Sequence, residues 1–508
     1  MTPAPRVILP EVSLWIEGEP VSGAGEEFPL FNPTDGNQLS SYRCATAAQV
    51  QASVDSAQRA FPGWQSMEAL HRSSLLRAIS DAIDEENEYL AQIESLTTGK
   101  PIRDSRIEVA KCAEMFTHYS GVPGQIMGQT IPVSRPWFAF TERVPLGVIA
   151  IFTPWNAPLF TACWNIAAVL ACGNTVVVKP SEYTPVSTLA LVRIMEGAGL
   201  PRGVVNVVVG DGRESGDALA KGSGVSKVVF IGSVPVGRAV ASTAASLGVP
   251  SVLELGGKSA NIVFGDADLE SAARGAVTAV FGNNGQSCTA GSRLLVEESV
   301  FSSVIDRVAE FTNRLRVGVP ADVATELGPI SHKLQWESIR ASIDNAVHSG
   351  AVVHATREVD PSLPSGGFWI MPTVLGDENP ASPIFTTEIF GPVLAVSSFS
   401  SETEAVAQAN GIGFGLAGAV WSGRTDRAIR VARQLKAGTV WINSYRALSV
   451  AVPFGGFGLS GWGRSSGPDA IAEYTQSRAV WMTEDTYPGS FPSSLPDGDS
   501  EAGCEGSR

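Results

Sequence analysis

Two residues carry the strongest chemical signal in this chain. Cys288 lies in the Gly-rich run Gly285-Gln286-Ser287-Cys288-Thr289, and Glu254 stands between two leucines in Leu253-Glu254-Leu255-Gly256-Gly257, 34 residues earlier (288 − 254). The thiolate is the reactive form of cysteine, and a carboxyl group whose pKa is lifted by partial burial takes a proton from a thiol or from water near neutral pH. The pair reads as a nucleophile and its base. Two plainer readings compete, since a free cysteine is often a small buried hydrophobe and a buried acid is often half of an ion pair. Yet a carboxylate inside a strand-like Val-Leu-Glu-Leu run needs a partner or a task, because unpaired buried charge is strongly unfavourable.

The elements that position such a pair need a large core. With 508 residues, 44% of them hydrophobic, the chain has material for two or three domains. A net charge of −15 argues against nucleic acid or an anionic membrane surface as partner. The N-terminus lacks the basic start and long apolar run of a secretion signal, and the apolar stretches 146–154 and 166–178 are interrupted by Gly, Thr, Asn or Pro. The expected setting is the cytoplasm. Cysteines 44, 112, 163, 172, 288 and 504 form no CxxC pair and the five histidines no ligand grouping, so neither a disulfide framework nor a metal site is expected.

Between residues 148 and 233, short apolar runs at 148–152, 174–178, 204–209 and 227–231 alternate with helical patterns near 159–171, 186–197, 214–220 and 236–247. Runs that are apolar throughout are strands buried on both faces of a parallel sheet, and their spacing gives repeated βαβ units. A doubly wound nucleotide-binding domain follows. Upstream, 46–60, 72–97 and 106–120 read as helices and 125–144 as a hairpin-like excursion. A second α/β region opens near Gly256, with strands expected at 261–264, 292–296, 393–396, 417–421 and 439–442. Residues 484–508 are rich in Ser, Pro, Gly and acids and are expected to be a disordered tail.

No GxGxxG fingerprint is present; Gly210-Asp-Gly212-Arg-Glu-Ser-Gly216 has the wrong final spacing. Instead a strand passes through Gly232-Ser233 into a helix whose first amides suit a pyrophosphate, although Gly-Ser turns also open helices for capping alone. Lys179-Pro-Ser-Glu182 adds a cation and a carboxylate at the sheet edge where ligands of such folds bind. Together they favour a dinucleotide.

Seven motifs in order then complete the pattern: Phe152-Thr-Pro-Trp-Asn156, Lys179-Pro-Ser-Glu182, Phe230-Ile-Gly-Ser233, Leu253-Glu-Leu-Gly-Gly-Lys-Ser259, Gly285-Gln-Ser-Cys288, Glu388-Ile-Phe-Gly-Pro392 and Pro453-Phe-Gly-Gly456. With them the chain resembles the NAD(P)-dependent aldehyde dehydrogenase superfamily along nearly its whole length. The resemblance implies an α/β, aldehyde dehydrogenase-like fold: a Rossmann-type cofactor domain from 1–124 and 145–256, an α/β catalytic domain over 257–474, and a β-strand oligomerisation arm from 125–144 and 475–483. It implies a homodimer or homotetramer. It also implies that Cys288 attacks an aldehyde, that the Asn156 amide and the Cys288 N–H hold the oxyanion, and that Glu254 activates the water that hydrolyses the thioester. Cofactor contacts fall to Trp155, Lys179, Glu182, Gly232, Ser233, Glu388 and Phe390. NAD is expected over NADP, since a carboxylate at 182 accepts from a ribose hydroxyl and repels a 2′-phosphate.

By the same resemblance the substrate tunnel is lined by Phe160, Cys163, Trp164, Ser287, Thr289, Leu448 and Phe454, which favours an aromatic or medium-chain aldehyde. Trp164 stands where branches acting on small acidic semialdehydes usually place arginine; Arg446 near the mouth keeps a semialdehyde as the alternative substrate. Ser465 departs from the many relatives that carry glutamate there, which loads deacylation onto Glu254. That acid also argues against the CoA-acylating branch. Two other readings remain, a cysteine hydrolase, which normally needs a histidine beside the thiol, and a catalytically silent binding protein, which has no need of Cys288, Glu254 and Asn156 together.

Overall fold

The computed structural model describes residues 7–483; the tail expected from 484 onward, with Cys504, lies outside them. An eight-stranded sheet holds the first α/β region. In it Val205–Val207, Thr175–Lys179, Val148–Phe152, Val225–Gly232 and Ser251–Leu255 lie side by side in that spatial order and run parallel. Every residue of Val148–Phe152 and Thr175–Lys179 is buried, which is why these strands read as unbroken apolar runs. The order reverses between Val148–Phe152 and Val225–Gly232, which places the ligand crevice beyond their C-terminal ends.

A seven-stranded sheet holds the second region, with Ala260–Val263 and Arg293–Glu297 near its centre. Two strands of it, Val352–Ala355 and Thr373–Gly376, escaped the sequence reading. Three further differences have local causes. The helix expected over 72–97 is two helices, Ala69–Glu85 and Asn87–Thr98, because Glu86 between them leaves helical geometry at ψ 14°. The segment expected as a helix over 214–220 is a wide turn, Gly212–Gly216, followed by one helical turn, Asp217–Ala220. Gly461–Trp462, assigned from sequence to the catalytic domain, adds antiparallel to Ser251–Leu255 in the first sheet, pairing Glu254 with Gly461.

A second unit contains residues 127–144 and, among the described residues, 477–483. Its three-stranded sheet runs Thr475–Thr483, Trp137–Pro145, Thr130–Ile131, with Arg478 paired to Glu142 at 2.6 Å. Among the described residues no helix is long and apolar enough to cross a membrane, and no cluster of three or more His, Cys, Asp or Glu is placed to hold a metal.

Candidate active site

A cavity of about 680 Å³ opens at the crevice that the strand order defines. Val148–Phe152 leads through Trp155 and Asn156 into the helix Pro158–Ala171, whose first position is a proline, favoured there because no helical N–H is lost. Val225–Gly232 ends at Ser233, the cap residue of the helix Val234–Ser246. Both strand ends, Glu254 and Cys288 line the cavity.

The turn that delivers Cys288 is left-handed at three successive residues, Asn283 (φ 56°), Asn284 (φ 57°) and Gly285 (φ 72°). Such geometry is costly outside glycine and persists only where neighbours enforce it. Here side-chain amides do so. Asn284 Nδ2 donates to the carbonyls of Gly99 and Pro329, both at 3.0 Å, and its Oδ1 accepts from the Gly328 N–H at 2.7 Å. Gln286 Oε1 accepts from the Ser331 N–H at 3.0 Å. A Cβ on Gly285 would stand 2.2 Å from the Gly391 carbonyl carbon, so only glycine fits. The Gln286 carbonyl accepts from Asn156 Nδ2 at 2.8 Å and Asn283 Nδ2 at 2.9 Å, which ties Asn156 to the Cys288 turn.

The Cys288 thiol keeps partial exposure to the cavity. Its surroundings push its pKa up to about 12, first by desolvation and then by the negative fields of Glu254 and Glu388; the Thr289 and Cys288 N–H groups pull the other way. The resting sulfur is a thiol that needs a base or a nearby positive charge to react. Glu254, 8% exposed, has its pKa lifted to about 7 by burial, opposed by a hydrogen bond from Ser465 and by the Arg464 charge. Ser465 Oγ donates to Glu254 Oε1 and accepts from Trp164 Nε1 at 2.9 Å.

Across the cavity, Glu388 Oε1 accepts from the Gly257 N–H at 2.9 Å, and burial lifts its pKa to about 7. It comes close because Gly256 has no side chain; a Cβ there would meet Glu388 Oε2 at 1.9 Å. Phe390, left-handed at φ 56°, is held by Gln335 Nε2, which donates to the Ile389 and Phe390 carbonyls at 3.0 and 3.1 Å. Its ring meets the Trp155 ring edge-on at 5.3 Å. Lys179 and Glu182 sit at the end of Thr175–Lys179, 4.0 Å apart, but neither lines the cavity. Lys179 is buried and donates to the Pro180 carbonyl at 2.9 Å; burial lowers its pKa against the pull of Glu182 and Asp211.

Comparison with known proteins decides what this arrangement belongs to. Residues 21–480 match the sequence pattern described as the Aldehyde dehydrogenase family. The chain belongs to the aldehyde dehydrogenase family. It is 39% identical over 485 residues to retinal dehydrogenase 2 of Homo sapiens, covering 94% of this chain and 93% of that one. It is 40% identical over 476 residues to a betaine aldehyde dehydrogenase of Cereibacter sphaeroides, covering 93% and 97%. Among solved structures, the complex of PnpE with nicotinamide adenine dinucleotide superposes with a TM-score of 0.92 at 41% identity, covering 94% and 98%. Betaine aldehyde dehydrogenase of Staphylococcus aureus with NAD+ gives 0.92 at 33%, covering 94% and 97%.

Within this aldehyde dehydrogenase fold, most residues expected from sequence meet at one cavity. Asn156, Glu254 and Cys288 do, as do Trp155, Gly232, Ser233, Glu388 and Phe390. So do Phe160, Trp164, Ser287, Thr289, Leu448 and Phe454. Cys163 does not: it is fully buried in the core beside Cys112. At 100° per residue, the cavity-facing set Phe160, Thr161, Trp164 and Asn165 covers one face of the helix, and Cys163 falls off it. Sequence reasoning missed Gln335 and the lining residues Ile107, Lys111 and Met115 on the helix Ile102–Ser120. An ordinary amphipathic helix gave no sign of facing a cavity.

Proposed function

We propose that this aldehyde dehydrogenase oxidises an apolar aldehyde, aromatic or medium-chain, to its carboxylic acid with NAD, through a thioester on Cys288. The observation that carries the reading is the convergence of Cys288, Glu254 and Asn156 on one cavity walled by Phe160, Trp164 and Phe454. The residues present fit a dinucleotide. Ser233 makes no capping bond to its own helix, so its hydroxyl and the first amides of Val234–Ser246 are left for phosphate. The missing Cβ of Gly256 opens space beside the Glu388 carboxylate, an acceptor for a ribose hydroxyl.

Glu254, half deprotonated near pH 7, takes the thiol proton directly or through water as Cys288 Sγ bonds to the aldehyde carbon. The Asn156 amide has two hydrogens; one is bonded to the Gln286 carbonyl, and the other is left for the developing oxyanion together with the Cys288 N–H. When bound, NAD supplies the hydride acceptor that turns the adduct into a thioester. Glu254 passes the thiol proton to solvent, then takes a proton from water as the water oxygen adds to the thioester carbon; the C–S bond breaks, the carboxylic acid leaves, and the proton on Glu254 returns to the thiolate.

NADH absorbance with purified protein, NAD or NADP and a panel of aliphatic, aromatic and semialdehyde substrates tests this. Growth of NADH with apolar aldehydes that vanishes in Cys288→Ala is expected. Folded protein that forms no NADH with any of them, or a variant as active as the parent, would sink the reading.

A further inference from the structure

The hydrogen bonds behind Glu254 run in one direction, from Trp164 through Ser465 to the carboxylate. An indole N–H only donates, so Ser465 Oγ must accept from Trp164 Nε1 at 2.9 Å. The serine has a single proton, and Glu254 Oε1 is the acceptor it reaches. All three side chains are buried, Ser465 completely and Trp164 and Glu254 at 6% and 8% exposure. The serine backbone is fixed as well, its N–H donating to the Phe454 carbonyl at 3.1 Å. Trp164 itself stacks on Phe160 at 5.3 Å and meets Phe454 edge-on at 5.9 Å, so one indole serves the apolar wall and the hydroxyl together.

We propose that Ser465, oriented by the indole of Trp164, is the positioning residue for the Glu254 base: it anchors Oε1 as a permanent acceptor and leaves Oε2 as the oxygen that exchanges protons with the cavity. This rests on Glu254 being the base of the proposed reaction. The role is specific to a serine with a donor-only partner. A second carboxylic acid at that position would share its own proton with Glu254, whereas the serine carries no charge and holds the base by a hydrogen bond. A hydrogen bond to the ionised form favours that form. Arg464, the residue before Ser465, supports it with positive charge, while Cys288 and Tyr474, the other titratable groups that feel Glu254, have their pKa values pushed up and stay neutral. The chain also links substrate to base, since an aldehyde packed against Trp164 touches the group that sets the serine proton.

The test is the pH profile of steady-state NADH formation for the parent, Ser465→Ala, Ser465→Thr and Trp164→Phe, with thermal melting on each. In Ser465→Ala the acid limb is expected to move to higher pH by about one unit, the scale of a lost hydrogen bond to a carboxylate, giving roughly fivefold slower turnover near pH 7, approaching about tenfold at lower pH, that recovers at alkaline pH. Ser465→Thr, which keeps the hydroxyl, should restore the parent profile. Trp164→Phe, which keeps the ring and loses the donor, should move the limb the same way by less. A Ser465→Ala profile that overlays the parent, or one lowered equally at every pH, overturns the proposal. Glu254→Gln with parent turnover would instead overturn the base assignment beneath it.

Discussion

Asn156 is positioned by its neighbours before any substrate arrives, because the Gln286 carbonyl holds one of its two amide hydrogens. Asn156→Ala is expected to cost about 2.7–4 kcal/mol of transition-state stabilisation, a hundred- to thousandfold in kcat, with a smaller change in KM. Single-turnover NADH formation measures it. Glu254 sets the pH dependence. Only its deprotonated form is a base, so with a pKa of about 7 deacylation should rise as pH climbs through neutrality and fall below it. Glu182 is the cofactor test, and Glu182→Gln should raise kcat/KM for NADP relative to NAD by removing a negative charge from the end of Thr175–Lys179; equal ratios in parent and variant would contradict the assignment. At this scale the sequence was informative where residue type and motif coincide, as at Cys288, Glu254 and Asn156. It misled at Cys163, which the family resemblance assigned to the cavity although helical rotation turns it into the core. It was silent on the serine–indole–carboxylate chain, which joins residues 301 positions apart in sequence.

The elements deliver these residues by accurate but strained turns. Three left-handed residues in a row precede Cys288, and Gly285→Ala would meet the Gly391 backbone. The conformational term alone is about 1–2 kcal/mol, with the clash in addition. A lower denaturation midpoint and a reduced kcat are expected together, measured by chemical unfolding and by NADH formation. Gln335→Ala should release the Glu388-Ile389-Phe390 turn and raise KM for NAD more than it lowers kcat. The buried parallel strands were legible because burial on both faces leaves a continuous apolar run. Val352–Ala355 was not, since two of its four residues are exposed and it lacks the continuous apolar run of the buried strands. The break at Glu86 had no glycine or proline to announce it.

At the scale of the whole molecule, the small three-stranded unit exposes Trp481 and Met482, and an exposed apolar patch invites a second copy. We propose that it joins neighbouring chains; light scattering after size exclusion should give a dimer or tetramer that Trp481→Asp weakens, and a monomeric parent would contradict this. The parallel βαβ build of the first sheet was readable from its spacing. The return of Gly461–Trp462 beside Ser251–Leu255 was not, because a two-residue strand has no periodicity. The central claim is covalent chemistry at Cys288 that Glu254 resolves, and intact-mass analysis tests it most directly. Glu254→Gln incubated with NAD and an aromatic aldehyde at alkaline pH, where a thiol relieved of the Glu254 charge ionises without that base, should gain the mass of one acyl group, mapping to the peptide that contains Cys288, while the parent clears it. NADH formation with no adduct on Cys288 in the variant would contradict the mechanism.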